Sequence, residues 1–186
     1  MTSHETNEEI EPGTEVTSTD KPVDPAERAR LAEELVQRYM LYAMAAGLVP
    51  APGVDLAASI AIQVSLLKRL SDLYGVNFRE NLGRGLIGSL LASGGAAALG
   101  AGLAGSAVKS IPVIGTIVGV IGMPILFGAY TFAVGKVFIA HFETGGTLID
   151  FNIKDYRKYW DKMVSMGRRK AKEAKAAGAT ETEAAA

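Results

Sequence analysis

Cysteine is absent from the chain. A disulfide framework and a thiolate site are therefore excluded, which fits a reducing compartment without demanding one. Histidine is nearly absent too: His4 and His141 are the two in the sequence, too far apart to pair. No catalytic triad or metal-spaced set forms around them. The central acids are scattered among helix caps and surfaces, so no convergent polar constellation argues for an enzyme. No catalytic residue, cofactor or metal ligand is assigned. The first 24 residues lack a basic start and an apolar run, so no secretory signal is expected there.

Charge of either sign is missing from the middle of the chain. Between Arg84 and Lys109 lie 24 uncharged residues, and between Lys109 and Lys136 lie 26 more. A hydrocarbon core about 30 Å thick needs about 20 apolar helical residues to cross it. Both runs are long enough, and Lys109-Ser110-Ile111-Pro112 between them reads as a turn, with Pro112 as a structural position. The stretch from about residue 85 to 140 is thus expected to form a helical hairpin in a membrane. Its small residues recur at four-residue spacing: Gly94, Ala98 and Gly102 in the first arm, Gly115 and Gly119 in the second. That spacing lets helix backbones approach closely inside lipid, which makes these the candidate helix-packing positions. A flexible Gly/Ala linker is the weaker reading, because Leu, Ile, Val and Phe are interleaved throughout. A buried hairpin in a soluble bundle is the stronger competitor. Gly and Ala dilute the first arm, and Pro124 would kink the second.

The missing charges are gathered at the ends. Residues 1–24 carry seven acids and one lysine, whereas residues 146–178 carry nine bases and four acids. The overall net charge of −1 hides an acidic head and a basic tail. Residues 1–23, rich in Glu, Thr and Ser, bury too little surface to offset their ordering entropy and are expected to be a disordered acidic tail. A helix should follow from Asp24, with Pro25 at its first position and Glu27 at capping-box spacing. Its apolar positions are Leu31, Leu35, Tyr39 and Tyr42. Past Arg38 polarity vanishes, and Gly47, Pro50 and Pro52 end the helix. Asp55 is the expected cap of the next helix, Leu56 to about Leu73, whose apolar positions include Ile60, Val64, Leu67 and Leu70. Only 12 uncharged residues separate Asp55 from Lys68, too few to span a bilayer. Tyr74-Gly75 is its stop and Asn77 a fresh cap.

Gly145-Gly146 breaks the helix that follows Lys136, placing His141 near the expected membrane boundary as a structural residue. The segment 151–178 should be a basic helix, and 179–186 a disordered tail. Bases alternating with aromatics there suggest contact with an anionic membrane surface through Lys154, Arg157, Lys158, Trp160, Arg168 and Arg169. An ordinary solvated face is the alternative. Gly100, Gly102 and Gly105 match a dinucleotide pattern in letters only. They lack the preceding strand, and no acid lies between Glu80 and Glu143. Gly105 to Ser110 fails the phosphate-loop spacing. Nothing resembles a base-reading motif, so nucleic acid is not an expected partner.

Several motifs occur together in order: Ala46-Gly47, Pro50, Pro52, Asp55, Gln63, Tyr74-Gly75, Lys109-Ser-Ile-Pro112 with Gly115, Gly135, His141-Phe142 and Gly145-Gly146. In these the chain resembles the YcjF-like domains of unknown function (family 697) over roughly residues 36–150. Members of that family are generally viewed as bacterial membrane-associated proteins that often carry the domain behind a small GTPase domain. The resemblance implies membrane residence and a link to GTPases or envelope stress. No GTPase domain accompanies it here, so a GTPase partner would act in trans. The family supplies no catalytic residues.

A two-arm hairpin returns its ends to one side, and the bases flanking it outnumber Lys109 at its tip. The positive-inside bias then places both termini in the cytoplasm, at the bacterial inner membrane. The expected fold is all-α: a helical membrane protein with a Gly/Ala-rich two-helix hairpin, flanking amphipathic helices and disordered termini. The expected role is a non-enzymatic integral membrane anchor or scaffold, bound to membrane lipid and to a second copy or another protein through the hairpin. The alternative is a soluble or peripheral helical domain whose basic C-terminal helix binds a protein or anionic lipid.

Overall fold

The computed structural model describes residues 24–48, 54–91 and 112–184. The acidic tail, Pro50, Pro52, Gly94, Ala98, Gly102 and the Lys109 turn lie outside these residues. Among the described residues the structure is all-helical. It comprises α1 (Pro25–Ala46), α2 (Val54–Tyr74), α3 (Glu80–Leu90), α4 (Pro112–Glu143) and α5 (Ile153–Ala184).

Most boundaries follow the expected punctuation. Asp24 precedes α1 and Pro25 opens it, where a missing N–H costs nothing. The capping box does not form: Asp24 makes no side-chain cap bond, and Glu27 instead accepts from Arg30 at 2.6 Å. A guanidinium offers that carboxylate a charge-assisted partner, which competes well with a backbone N–H. α2 begins at Val54, one residue before Asp55. Gly75 (φ +69°) and Gly145 (φ +83°) stop α2 and α4 in left-handed backbone that only glycine adopts readily. The cap of α3 is Arg79, not Asn77. Pro112 is the first residue of α4, again the position that suits proline. α5 runs on to Ala184, past the expected boundary at 178.

α4 is the axis of the bundle. Between Phe127 and Phe142 nearly every residue is buried, including Phe132, Val134, Val137 and Phe138. α1 runs antiparallel along it, so rising numbers on α4 meet falling numbers on α1. A Cβ on Gly47 would lie 2.9 Å from the Pro124 backbone, one on Gly128 2.5 Å from Met44 Cγ, and one on Gly135 2.4 Å from Val36 Cγ2. Lys136, one residue further, pairs with Glu33. α5 runs antiparallel on another side, with Gly167 against the Ala129 backbone (2.7 Å from a Cβ to the carbonyl oxygen). α2 adds Leu66, Leu67 and Leu70, and α3 adds Ile87 and Leu90.

Two expectations change here. The buried stripe of α1 is Ala32, Val36, Met40, Ala43 and Met44, whereas Leu31, Leu35 and Tyr39 are only half-buried and Tyr42 is exposed. Close approach to α4 admits small and slender side chains at the seam and moves the large ones to its flanks. Gly47 is also not a conformational glycine: its φ is −71°, and it is small because Pro124 lies against it. Pro124 itself sits within a continuous α4, although it removes one helical hydrogen bond.

These glycines should tolerate methyl groups very differently. Gly135→Ala pushes into stiff, β-branched Val36, and Gly167→Ala into a backbone carbonyl, so each should cost about 1–3 kcal/mol. Gly88 lies in α3 with nothing within 4 Å of its Cβ position, so Gly88→Ala should stabilise by about 0.5–1 kcal/mol. Thermal unfolding of the three variants checks this; equal midpoints would contradict the packing.

Candidate functional site at the two ends of the bundle

The candidate residues fall at different places along the bundle. Gly115 and Gly119 lie on one face of the first third of α4. Lys154, Arg157, Lys158 and Arg169 are exposed on α5, and Arg168 is half-buried. Trp160 is not a surface residue, which corrects the expectation of lipid contact there. It is 2% exposed and stacks on Tyr130 with ring centroids 5.9 Å apart. With Met163 it forms the inward face of α5, flanked by half-buried Tyr156, Tyr159 and Met166. A stripe of aromatics and methionines at helical spacing has been used as core, because α4 presents an apolar wall for it to cover.

At one end of the bundle α4 meets the α4–α5 connection in a polar corner built on His141. This side chain is buried. Its Nε2 lies 2.8 Å from the Thr147 carbonyl and its Nδ1 3.1 Å from the Tyr156 hydroxyl. A carbonyl only accepts, so Nε2 carries the proton and Nδ1 accepts from Tyr156. Phe151 and Tyr156 meet the ring edge-on, at 5.2 and 5.6 Å. Gly146 lies so close that its Cβ would come 2.3 Å from the ring. Asp150 closes the loop by accepting from the Thr147 N–H and hydroxyl, both at 2.6 Å. Those bonds hold its carboxyl below the usual carboxylate range. Both ring nitrogens of His141 are committed to fastening the loop, so the histidine is structural.

Beside it, Tyr74 donates to Glu143 at 3.3 Å, and the Arg28 guanidinium lies over the tyrosine ring at 5.1 Å. Three helices are tied there by one residue. Burial, reinforced by the charge of Glu143, pushes the Tyr74 hydroxyl up to about 12.

The opposite end is apolar. Leu41 (50% exposed) and Tyr42 (52%) stand out from the last turns of α1, Leu48 (57%) from the turn after it, and Met123 (42%) from α4. Met123 and Pro124 lie against Gly47, so the two sets adjoin. One cross-section fixes the neighbours of this end. A Cβ at Gly128 would meet Met44 of α1 and, at 3.4 Å, Ala171 of α5. Exposed Arg169 and Lys172 flank Ala171, and exposed Arg38 lies one turn before Tyr42. By contrast Tyr156, and with it Lys154, Arg157 and Lys158, sits at the level of His141. That is about 20 Å further along α4 by helical rise. The structure thus separates the five basic candidates for lipid contact into two groups at opposite ends. Sequence reading missed Leu41, Leu48 and Met123 as surface residues. The signal was the loss of charge after Arg38.

The chemistry available is limited. Among the described residues, no group of three His, Asp or Glu is placed to hold a metal ion. A recess of about 650 Å³ beside the α2–α3 turn is lined by Lys68, Asp72 and Glu80 among others. Its one hydroxyl, that of Ser71, makes no hydrogen bond to a base within the protein. Buried Gln63 donates to Ser59 Oγ at 3.2 Å, and its carbonyl oxygen has no partner in the protein. Among the described residues, one helix segment, Gly122–Glu143, is long and apolar enough to cross a membrane, but 72% of its apolar 18-residue window is buried in the bundle.

Two measurements check the polar corner. Gly146→Ala should displace the His141 ring and lower the unfolding temperature by more than Tyr156→Phe, which loses one hydrogen bond worth about 0.5–1.5 kcal/mol. Tyr74 has a folded pKa above its unfolded value, so its contribution is fully present below about pH 10 and is lost as pH rises towards 12. Tyr74→Phe should therefore flatten the fall in stability between those pH values; an unchanged alkaline slope would contradict the assignment.

A curated relative, "Magnetosome membrane protein 22" of Magnetospirillum gryphiswaldense, is 39% identical over 155 residues, covering 82% of this chain and 78% of the relative. No solved structure matches the chain. Residues 24–164 match the family described as "Domain of unknown function (DUF697)". That span takes in α1 to α4, the polar corner and the first turns of α5, and the chain belongs to this family.

Proposed function

We propose that the protein is a non-enzymatic membrane anchor or scaffold of the bacterial inner membrane, with both termini in the cytoplasm. The observation that carries this reading is an uncharged run rooted in a charged bundle. From Pro124 onward α4 is covered by α1, α2 and α5. Their outer faces bear exposed Arg30, Glu34, Lys68, Arg69, Arg157 and Lys162. Such faces belong in water, because charges in hydrocarbon are costly. The uncharged residues from about 92 to 123, interrupted by Lys109, are left for the membrane. The membrane assignment of the magnetosome relative supports the same reading.

The bundle also limits how deep the second arm reaches. Pro112–Met123 is 12 residues of α4, about 18 Å of helix. That is shorter than a hydrocarbon core of about 30 Å. The hairpin therefore enters from the apolar end of the bundle and returns to it, with α4 only partly in lipid. Self-association in the membrane would use Gly94, Ala98, Gly102, Gly115 and Gly119. A GTPase acting in trans is a candidate partner for the water-facing bundle. A second reading, a peripheral helical interaction domain, is favoured by the burial of most of the one candidate span.

Fractionation separates the two. A membrane anchor stays in the pellet through alkaline carbonate and leaves with detergent; release by carbonate selects the peripheral reading. Leu at Gly94, Gly102, Gly115 and Gly119 together should abolish detergent-resistant oligomers, and oligomers that persist would remove the small-residue contact.

A further inference from the structure

We infer that the bundle stands end-on upon an anionic lipid surface, seated on the end formed by Leu41, Tyr42, Leu48 and Met123 and collared by Arg38, Arg169 and Lys172. The inference rests on the membrane reading above and specifies which surface of the bundle touches lipid. Soluble helices do expose single apolar residues, but these four are not scattered. Leu41 and Tyr42 lie on α1, Leu48 just past its end and Met123 on α4, at the end where α4 continues into its uncharged first turns and α1 is followed by the uncharged run Leu48 to Val54. Along the outer face of α1, charge stops at Arg38, one turn below Tyr42. A long basic side chain just below an apolar tip can rest its stem on apolar surface and hold its charge among headgroups.

α5 carries bases towards the same end and runs on past them, through Glu181 and Glu183, to Ala184. Its residues 168–175 carry five bases and one acid, Glu173. Ala171 meets the same cross-section of α4 that Met44 meets, so the bases beside Ala171 stand about 9 Å, by helical rise, from the level of Arg38. The apolar tip and basic collar complement a bilayer with anionic headgroups, where each such base adds attraction within a Debye length of the surface. Lys154, Arg157 and Lys158, about 20 Å away along α4, then face the cytoplasm and make no headgroup contact.

Because the chain has no cysteine, one cysteine can be placed at will. Leu48→Cys, Tyr42→Cys and Ile149→Cys each replace an exposed side chain, the last at the polar end. Each full-length variant is labelled with an environment-sensitive fluorophore and reconstituted into phosphatidylcholine vesicles with or without phosphatidylglycerol. Labels at 42 and 48 should shift to the blue, while the label at 149 keeps its aqueous emission. Arg169→Glu with Lys172→Glu should remove most of the phosphatidylglycerol-dependent part of the shift at 48, and Arg157→Glu with Lys158→Glu should leave it unchanged. A shift at 149 in place of 48, or an equal effect of the two charge reversals, overturns the orientation while leaving membrane residence intact. Efficient disulfide cross-linking between Leu48→Cys copies without a lipid-dependent shift assigns the end to a second copy and also overturns it. Failure of the unmodified chain to float with vesicles overturns the membrane reading, and this inference with it.

Discussion

A helix with no charge over most of its length has to be covered by something other than water. α4 carries its first charge only at Lys136, late in its 32 residues, and the rest of the structure is arranged around that fact. Burial of apolar surface at about 25 cal/mol per Å² supplies the drive, but it does not choose between protein and lipid as the cover. α1, α2 and α5 cover the later part, with one face turned to α4 and charged residues on the other. Where α1 ends, at the level of Pro124, the uncharged sequence of α4 continues, while α5 runs on to Ala184.

That cover depends on close approach. Gly135 opposite Val36, Gly128 opposite Met44, Gly47 against Pro124 and Gly167 against Ala129 bring helix backbones together where any Cβ would collide. Small residues are the usual means of close helix packing inside lipid. Here the same device works in a water-facing bundle, within one chain. Gly75 and Gly145 are glycines for the unrelated reason that their backbone is left-handed.

The two ends of the bundle differ in kind, which gives the molecule an axis. At one end His141, Tyr156, Tyr74 and Glu143 use hydrogen bonds to hold connections between helices. At the other, Leu41, Leu48 and Met123 are left uncovered beside glycine contacts. A polar end can close on itself, because its groups find partners within the chain. An apolar end finds no such specific partner in water and is completed by lipid or protein.

The all-helical architecture, the α1 start at Pro25, the stops at Gly75 and Gly145 and the apolar character of α4 were legible in the sequence. Each depends on local chemistry: a fixed proline φ, a positive glycine φ, or a charge gap. Which face of a helix is inward was less legible. Leu31, Leu35 and Tyr39 looked like the core of α1, yet the seam belongs to Ala32 and Val36, because the width of the groove is set by glycines a hundred residues away on α4. Trp160 looked interfacial beside its bases and is buried on Tyr130, since composition does not report what a helix packs against. The basic residues of α5 formed one group in the sequence and became two only when antiparallel packing placed Arg157 near His141 and Arg169 near Gly128. Local chemistry marked the helices and several of their limits. The tertiary structure alone decided their facing and level, because those depend on contacts between residues far apart in the chain.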